Sequence, residues 1–411
     1  MPTSSDRELD IVVWGATGFT GRLVAEYLLE AYGSDAFRWA LGGRDTGKLE
    51  RVRKALGPSA AALPLVTGEA GDAASMSALA QRARVVCTTV GPYALHGAEL
   101  VRACAEAGTH YCDLTGELHW MQRMMDAHGD RAVASGARIV HSCGFDSIPS
   151  DLGVLALQRA MRERHGVSAS RVKGRIAGFS GGASGGTIAS MFNLLEEAAH
   201  DADVRRALSD PYSLNPKDLR SGPDREERLW PTYDADFGQW TAPFVMSAIN
   251  TRVVRRSNAL LGHAYGSDFR YEEAMLMGAG PLGFAKATAL ATGLAAGMGA
   301  ASLAPLRRLL RSALPAPGEG PDEARREAGY WDLRFLGERA GSPSQRVMLR
   351  VRGDRDPGYG STAKMLGESA VCLARDALAS EPGFLTPAAA MGEALIARLE
   401  ERAGVRFELE A

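Results

Sequence analysis

The chain of 411 residues predicts an α/β protein, a doubly wound parallel sheet followed by a second α+β domain. Three observations predict it. Apolar strand-like runs alternate with amphipathic runs of helical period as far as Pro149. A glycine turn, Gly15-Ala16-Thr17-Gly18-Phe19-Thr20-Gly21, separates the first strand from the first helix. After Pro149 the alternation gives way to longer stretches rich in Gly, Pro and charge. Hydrophobic content of 45% and charged content of 23% are ordinary for a globular chain, and the length suits two to three domains.

In order, strands are expected over 9–14, 37–42, 62–66, 84–89, 109–113 and 138–142, with helices over 20–31, 46–56, 73–82, 97–107 and 119–135. Pro64 assigns the third strand to a sheet edge, because proline donates nothing to a ladder. This half, residues 1–149, is a complete Rossmann pattern. A strand follows over Arg171 to Ala177, then the run Ser180-Gly181-Gly182-Ala183-Ser184-Gly185-Gly186-Thr187 and a helix from Ile188 to His200. Residues 205–240 read as a surface excursion and 314–322 as a linker. Alternation over 329–337 and 345–353 predicts two paired strands, and helices follow over 360–379 and 387–402. The second domain is placed at 150–360, and 361–411 as helices returning to the Rossmann domain. No internal repeat appears.

Strand, glycine turn and helix in succession is the context of a dinucleotide site. Gly15 suits the tight turn, Gly18 lets backbone approach a pyrophosphate, and Gly21 lets helix pack on strand. Ala16, Thr17, Phe19 and Thr20 complete the turn, and the amides of the helix start would face the phosphates. Arg44, after the second strand, stands where an NAD site carries an acid. Its guanidinium suits a 2′-phosphate, so the cofactor is expected to be NADP(H). Asp45 is expected to point away and cap the next helix.

Three further strand ends fall on the ligand-facing rim. Thr89-Val90-Gly91-Pro92-Tyr93 follows the fourth strand on the nicotinamide side, Asp113 the fifth, and Cys143 and Asp146 the sixth. Tyr93 is a candidate proton donor or a ring that packs on its neighbours. Asp146, with a pKa raised by burial, is a second candidate acid. Asp146 and Asp151 could instead be helix caps, and Cys143 a passive core thiol.

A net charge of −2 carries no nucleic-acid footprint. Met1 to Asp10 is polar, without the apolar core of a secretory signal. The five cysteines form no C-x-x-C pair, so reduced thiols, a cytoplasmic setting and no metal are expected. Residues 287–306 carry no charge, with Ala289, Gly293 and Gly297 at small-residue spacing. This segment reads as a packed or oligomeric helix, a membrane-surface contact or a span.

Gly15 to Gly21, Gly43-Arg44, Gly91 to Gly97, Asp113 to Glu117 and Cys143 to Asp151 together resemble the saccharopine dehydrogenase-like oxidoreductases. Ser184 to Thr187, Pro357 to Met365 and Leu385 to Ala388 resemble its bacterial branch of trans-acting enoyl reductases. The resemblance implies an NADP-binding Rossmann domain, an inserted substrate domain and a C-terminal return. It implies NADPH-dependent reduction of a conjugated C=C bond in a lipid or polyketide chain, tethered to a carrier or free. The sixth-strand motif, Gly-Phe-Asp-Ser-Ile-Pro, departs from the Gly-Leu-Asp-Pro-Gly type of saccharopine reductases. Two alternatives stand beside this reading. One is an imine or amino-acid dehydrogenase with Arg175 or Arg252 on the substrate carboxylate. The other is a non-catalytic NADP-binding scaffold at a lipid surface. A homodimer and a peripheral contact of 287–306 with the inner face of the plasma membrane complete the expectations.

Overall fold

The computed structural model describes residues 7–181, 196–225, 229–302 and 320–410. The run Ser184 to Thr187, most of the helix expected over 188–200, and the end of the charge-free segment lie outside them.

The first sheet contains β1 (Leu9–Trp14), β2 (Trp39–Gly43), β3 (Leu65–Thr67), β4 (Ala83–Thr88), β5 (His110–Cys112), β6 (Arg138–Val140) and β13 (Gly383–Leu385). Their order is β13-β6-β5-β4-β1-β2-β3, with every pairing parallel. β1 is central because Ile11, Val12 and Val13 are apolar to both faces and fully buried. β3 lies at the edge, with Pro64 just before it. Helices α1 (Phe19–Tyr32), α2 (Thr46–Ala55), α3 (Ala73–Arg82), α4 (Ala98–Ala107) and α5 (Leu118–Ser135) fill the crossovers as expected. Asp45 caps α2, its Oδ1 accepting from Lys48 N at 2.9 Å.

Helix α6 (Ile148–His165) leads into a second seven-stranded sheet, β14-β12-β11-β7-β10-β9-β8. Its members are β7 (Arg171–Ser180), β8 (Thr232–Asp234), β9 (Gln239–Ala242), β10 (Arg270–Leu276), β11 (Tyr330–Arg339), β12 (Ser342–Gly353) and β14 (Val405–Glu410). β7 and β10 run parallel and the other pairs antiparallel. Val172, Ile176, Phe335, Leu349 and Val351 face a core shared with α6. The opposite face carries ion pairs such as Arg350–Asp332 at 2.8 Å and Arg352–Glu408 at 2.7 Å.

The 205–240 stretch is not a simple surface excursion. Helix α7 (Ser247–Leu260) is polar yet buried, and its arginines fasten that stretch. Arg252 donates to Leu208 O at 2.6 Å and Asp210 O at 3.0 Å, Arg255 to Asp224 Oδ2 at 2.6 Å, and Arg256 to Leu214 O and Phe384 O. Tyr212 to Asn215 is therefore buried, and 232–242 forms the β8–β9 hairpin.

The charge-free segment forms α8 (Gly280–Ser302), which lies along β9. Ala287 and Ala291 are buried there. Ala289, Gly293 and Gly297 are exposed, so no close helix approach is made through them among the described residues. No helix among the described residues is long and apolar enough to cross a membrane.

The C-terminal return is wider than expected. Helix α9 (Thr362–Arg375) packs on α1, β4 and β5, and Glu368 within it accepts from Tyr27 at 2.5 Å and Tyr32 at 2.7 Å. β13 completes the first sheet. After α10 (Gly392–Arg402), β14 crosses to the edge of the second sheet, so 361–411 is neither all helical nor confined to the Rossmann half.

Candidate active site

The carboxyl ends of β1, β4, β5 and β6 form one rim, the ligand side of a doubly wound sheet. At β1 the chain turns through Gly15, whose φ of 95° few other residues adopt. A side chain at Gly21 would place its Cβ 2.1 Å from Gly15 O, so α1 starts against the turn only because that carbon is absent. Gly18 is the N-cap of α1 and supplies no side chain to its first turn. The orphan amides there suit a pyrophosphate. Ala16 is buried beneath the turn, Thr17 is exposed and Thr20 half-exposed. Phe19 leans away, edge-on to Tyr359 at 4.7 Å. Arg44 is exposed, and among the described residues its guanidinium has no partner. An uncapped helix start beside a free guanidinium fits the two phosphate groups of NADP(H).

Thr89 and Val90 back the turn, with Thr89 Oγ1 donating to Gly15 O at 3.4 Å. The Gly91–Pro92 bond is cis. Tyr93 follows at the head of a helical turn and is buried against Trp120, ring centroids 5.6 Å apart. Its hydroxyl donates inward to Thr88 O at 3.2 Å, and burial pushes its pKa well up. The packing alternative therefore describes its ring, and the proton it carries is committed inside the protein.

Asp113 and Cys143, expected at the cofactor, have fully buried side chains spent within the rim. Asp113 Oδ1 accepts from Thr115 N at 3.0 Å and Ser142 N at 3.1 Å. Its Oδ2 accepts from Tyr111 at 2.8 Å and lies 2.7 Å from His141 Nδ1. It is a hub joining two rim loops. Burial pushes the Cys143 thiol pKa well up, so it stays a neutral core group. Glu117 has a role that sequence reading missed. Its carboxylate accepts from Tyr93 N and Ala94 N, each at 2.8 Å, and fixes the β4 loop to the β5 loop. A single glutamate distant from the capped turn offers no local signal of this.

Asp146 differs from its neighbours. It is half-buried, no partner engages its carboxylate among the described residues, and burial raises its pKa to about 6. It is no helix cap, since Ser147 holds that position on α6 without a side-chain bond. Phe145 beside it is anchored by its N–H on Thr362 Oγ1 at 3.0 Å and by Trp331 at 5.3 Å. Ser147 donates to Asn250 at 3.1 Å, Asn250 to Glu273 at 3.0 Å, and Tyr271 to Glu273 at 2.6 Å. This line of bonds ties the Asp146 loop to the second domain. Met246 and Ile249, from the α7 side, reach over Gly116. Leu114 lies against Gly144, and Phe145 directly precedes Asp146, so apolar side chains line this stretch of the rim.

Asp151 is no cap either. It lies fully buried in the first turn of α6, where it accepts from Ser257 Oγ at 2.5 Å and Ala388 N at 2.8 Å. Burial, only partly offset by those bonds, raises its pKa to about 7. Arg175 is bound to Asp234 and Glu272, each at 2.7 Å, and Arg252 to backbone carbonyls. Neither cation is free to hold a substrate carboxylate.

The family described as saccharopine dehydrogenase NADP binding domain matches residues 11–140. A protein of Mycobacterium tuberculosis provisionally named a trans-acting enoyl reductase is 47% identical, over 99% of this chain and 98% of its own length. A trans-acting enoyl reductase of Mycobacterium ulcerans is 42% identical over 97% of both chains. Among solved structures, the apo saccharopine dehydrogenase (L-Glu forming) of Saccharomyces cerevisiae superimposes with a TM-score of 0.52. It shares 12% identity and covers 98% of this chain and 99% of its own, a likeness of fold alone.

Proposed function

The chain belongs to the trans-acting enoyl reductase family of saccharopine dehydrogenase-like proteins, and from that premise we propose that it reduces the conjugated C=C bond of a lipid or polyketide acyl chain. It is an NADP-dependent oxidoreductase. The observation that carries the substrate reading is an unpartnered carboxyl group, Asp146, desolvated by burial, with Arg175 and Arg252 both committed elsewhere. Apolar side chains along the rim suit an acyl chain, and an imine-forming amino acid would leave its carboxylate unpaired.

Bound NADPH supplies the hydride, delivered to the β-carbon of the enoyl group. Gly15 to Gly21 and Arg44 hold the phosphates, and Glu117 fixes the Tyr93 loop. The walls of Leu114, Phe145 and Met246 exclude water from the reacting carbons. Asp146 in its acid form gives a proton to the α-carbon, and its carboxylate takes a replacement from solvent. Tyr93, with its hydroxyl bonded inward, is the second candidate for that proton. The substrate is carried on an acyl carrier, and the enzyme works as a homodimer. The charge-free part of α8 after Lys286, exposed over much of its length, supports a peripheral contact with the inner face of the plasma membrane.

The test is NADPH oxidation with medium- and long-chain enoyl thioesters and with an aldehyde–amino acid mixture. Turnover is expected on the thioesters only, and turnover on the imine mixture alone would overturn the reading. Asp146→Asn is expected to lower kcat by about 10²–10⁴ while NADPH affinity holds. The wild-type rate should fall as pH rises through about 6, because the acid form is lost, and the variant should lose that limb. An unchanged rate in the variant would return the proton to Tyr93 or water.

A further inference from the structure

A cavity of about 970 Å³ opens at the other end of the second sheet, where β7 and β10 begin. Its described lining includes none of Gly15 to Gly21, Arg44 or Asp146, and reaches the Asp146 loop only through Tyr271 and Glu273, at the far end of the line of bonds from Ser147. Most of the charge lining it is already satisfied. Lys173 lies 3.0 Å from Asp234, Arg175 2.7 Å from both Asp234 and Glu272, and Arg255 2.6 Å from Asp224. Arg225 and Arg270 are different. Both are exposed, and among the described residues their guanidinium groups have no partner. Asp268 is the one lining carboxylate without a partner among the described residues, so the two guanidinium groups outnumber the free carboxylates beside them.

An apolar strip leaves the same cavity. Trp230 is 68% exposed and Tyr233 50% exposed at its mouth. Tyr233 meets Trp240 edge-on at 5.6 Å, Trp240 meets Phe284 of α8 at 4.7 Å, and Leu282 beside it is 68% exposed. Aromatic surface of this extent in water is unfavourable unless something covers it. Two unpartnered guanidinium groups in the cavity lining and a line of rings leaving it match a molecule with an anionic head and an apolar tail.

We propose that this cavity is a second, non-catalytic site for one anionic acyl chain. The phosphate or carboxylate head sits between Arg225 and Arg270, and the tail lies along Tyr233, Trp240 and Phe284. A concave site, a cavity of about 970 Å³ rather than a flat patch, favours a single molecule over the plane of a bilayer.

The experiment is titration calorimetry of the full chain, saturated with NADPH, using dodecyl phosphate below its micelle concentration. One saturable site is expected, retained in Asp146→Asn and weakened at least about tenfold in Arg225→Gln/Arg270→Gln. Dodecanol should bind at least about tenfold more weakly than the phosphate. Equal binding by the double variant would place the chain in the catalytic crevice and overturn the proposal. So would equal binding of inorganic phosphate, or binding only to vesicles of anionic phospholipid.

Discussion

The crevice and the second sheet treat charge in opposite ways. At the crevice, exposed Arg44 and half-buried Asp146 have no partner among the described residues. Beneath the second sheet and along α7, Lys173, Arg175, Arg252 and Arg255 are all engaged by carboxylates or carbonyls. The difference separates ligand chemistry from architecture. A buried charge that has a partner holds the fold, and a charge without one waits for something the chain does not contain. Residue type alone does not make this distinction: Arg44 and Arg175 look equally available in the sequence.

The strongest test removes space rather than charge. Gly21→Ala forces a carbon into the Gly15 carbonyl and should cost on the order of 4–5 kcal/mol, read as loss of NADPH binding by fluorescence titration. Full binding would show that α1 has room to move. Next, Arg175→Gln should lower unfolding stability by about 3 kcal/mol in urea while NADPH affinity stays unchanged. Burial alone would raise the Asp234 pKa, and Arg175 with Lys173 outweighs it to hold the carboxyl low, so removing Arg175 leaves that buried carboxyl with Lys173 as its one cation among the described residues. A fall in NADPH affinity instead would move Arg175 to the ligand side of the comparison.

Arg44→Ala should weaken NADPH by about 1.5–3 kcal/mol, or roughly 10–100-fold, with NADH little changed and stability untouched. Equal losses for both cofactors would remove Arg44 from the 2′-phosphate. The smallest effect concerns Asp151. Its folded pKa of about 7 lies above the unfolded value, so its contribution to stability is whole in acid and is lost as pH rises through about 7. Between pH 6 and 8 that loss is about 1.4 kcal/mol. Asp151→Asn keeps an acceptor for Ala388 N and should flatten that part of the thermal-unfolding profile; an unchanged slope would assign it to another group.

The Rossmann half was legible because its strands are apolar on both faces and its helices amphipathic. β1 and α3 match their expected bounds, and Asp45 caps α2 as expected. The second sheet was partly hidden. β7, β11 and β12 alternate clearly, but β8 and β9 are only three and four residues long and sit within a polar stretch. α7 carries Arg252, Arg255 and Arg256 and reads as a solvated face until carbonyls from elsewhere are brought to it. β13 takes its place through Ala137 and the parallel register with β6, which no local pattern announces. At the site, the glycine turn and Arg44 were visible from spacing. The inward turn of Asp113, Cys143 and the Tyr93 hydroxyl was not, because it depends on contacts between loops far apart in the chain.

One feature of the topology bears on how the protein is made. The last strand of the first sheet begins at Gly383, and an edge of the second is Val405–Glu410. While these residues are still inside the ribosome, β6 and β12 both present open hydrogen-bonding edges, and the strands that close them come more than 50 residues after β12 in one case and far after β6 in the other. Until residues 383–410 have emerged, the nascent chain carries two unsealed sheets, each open to pairing with a stranger. Cells producing this protein should depend on holding chaperones during its synthesis. A chain stopped before Gly383 should be found in the insoluble fraction rather than as a free cofactor-binding domain.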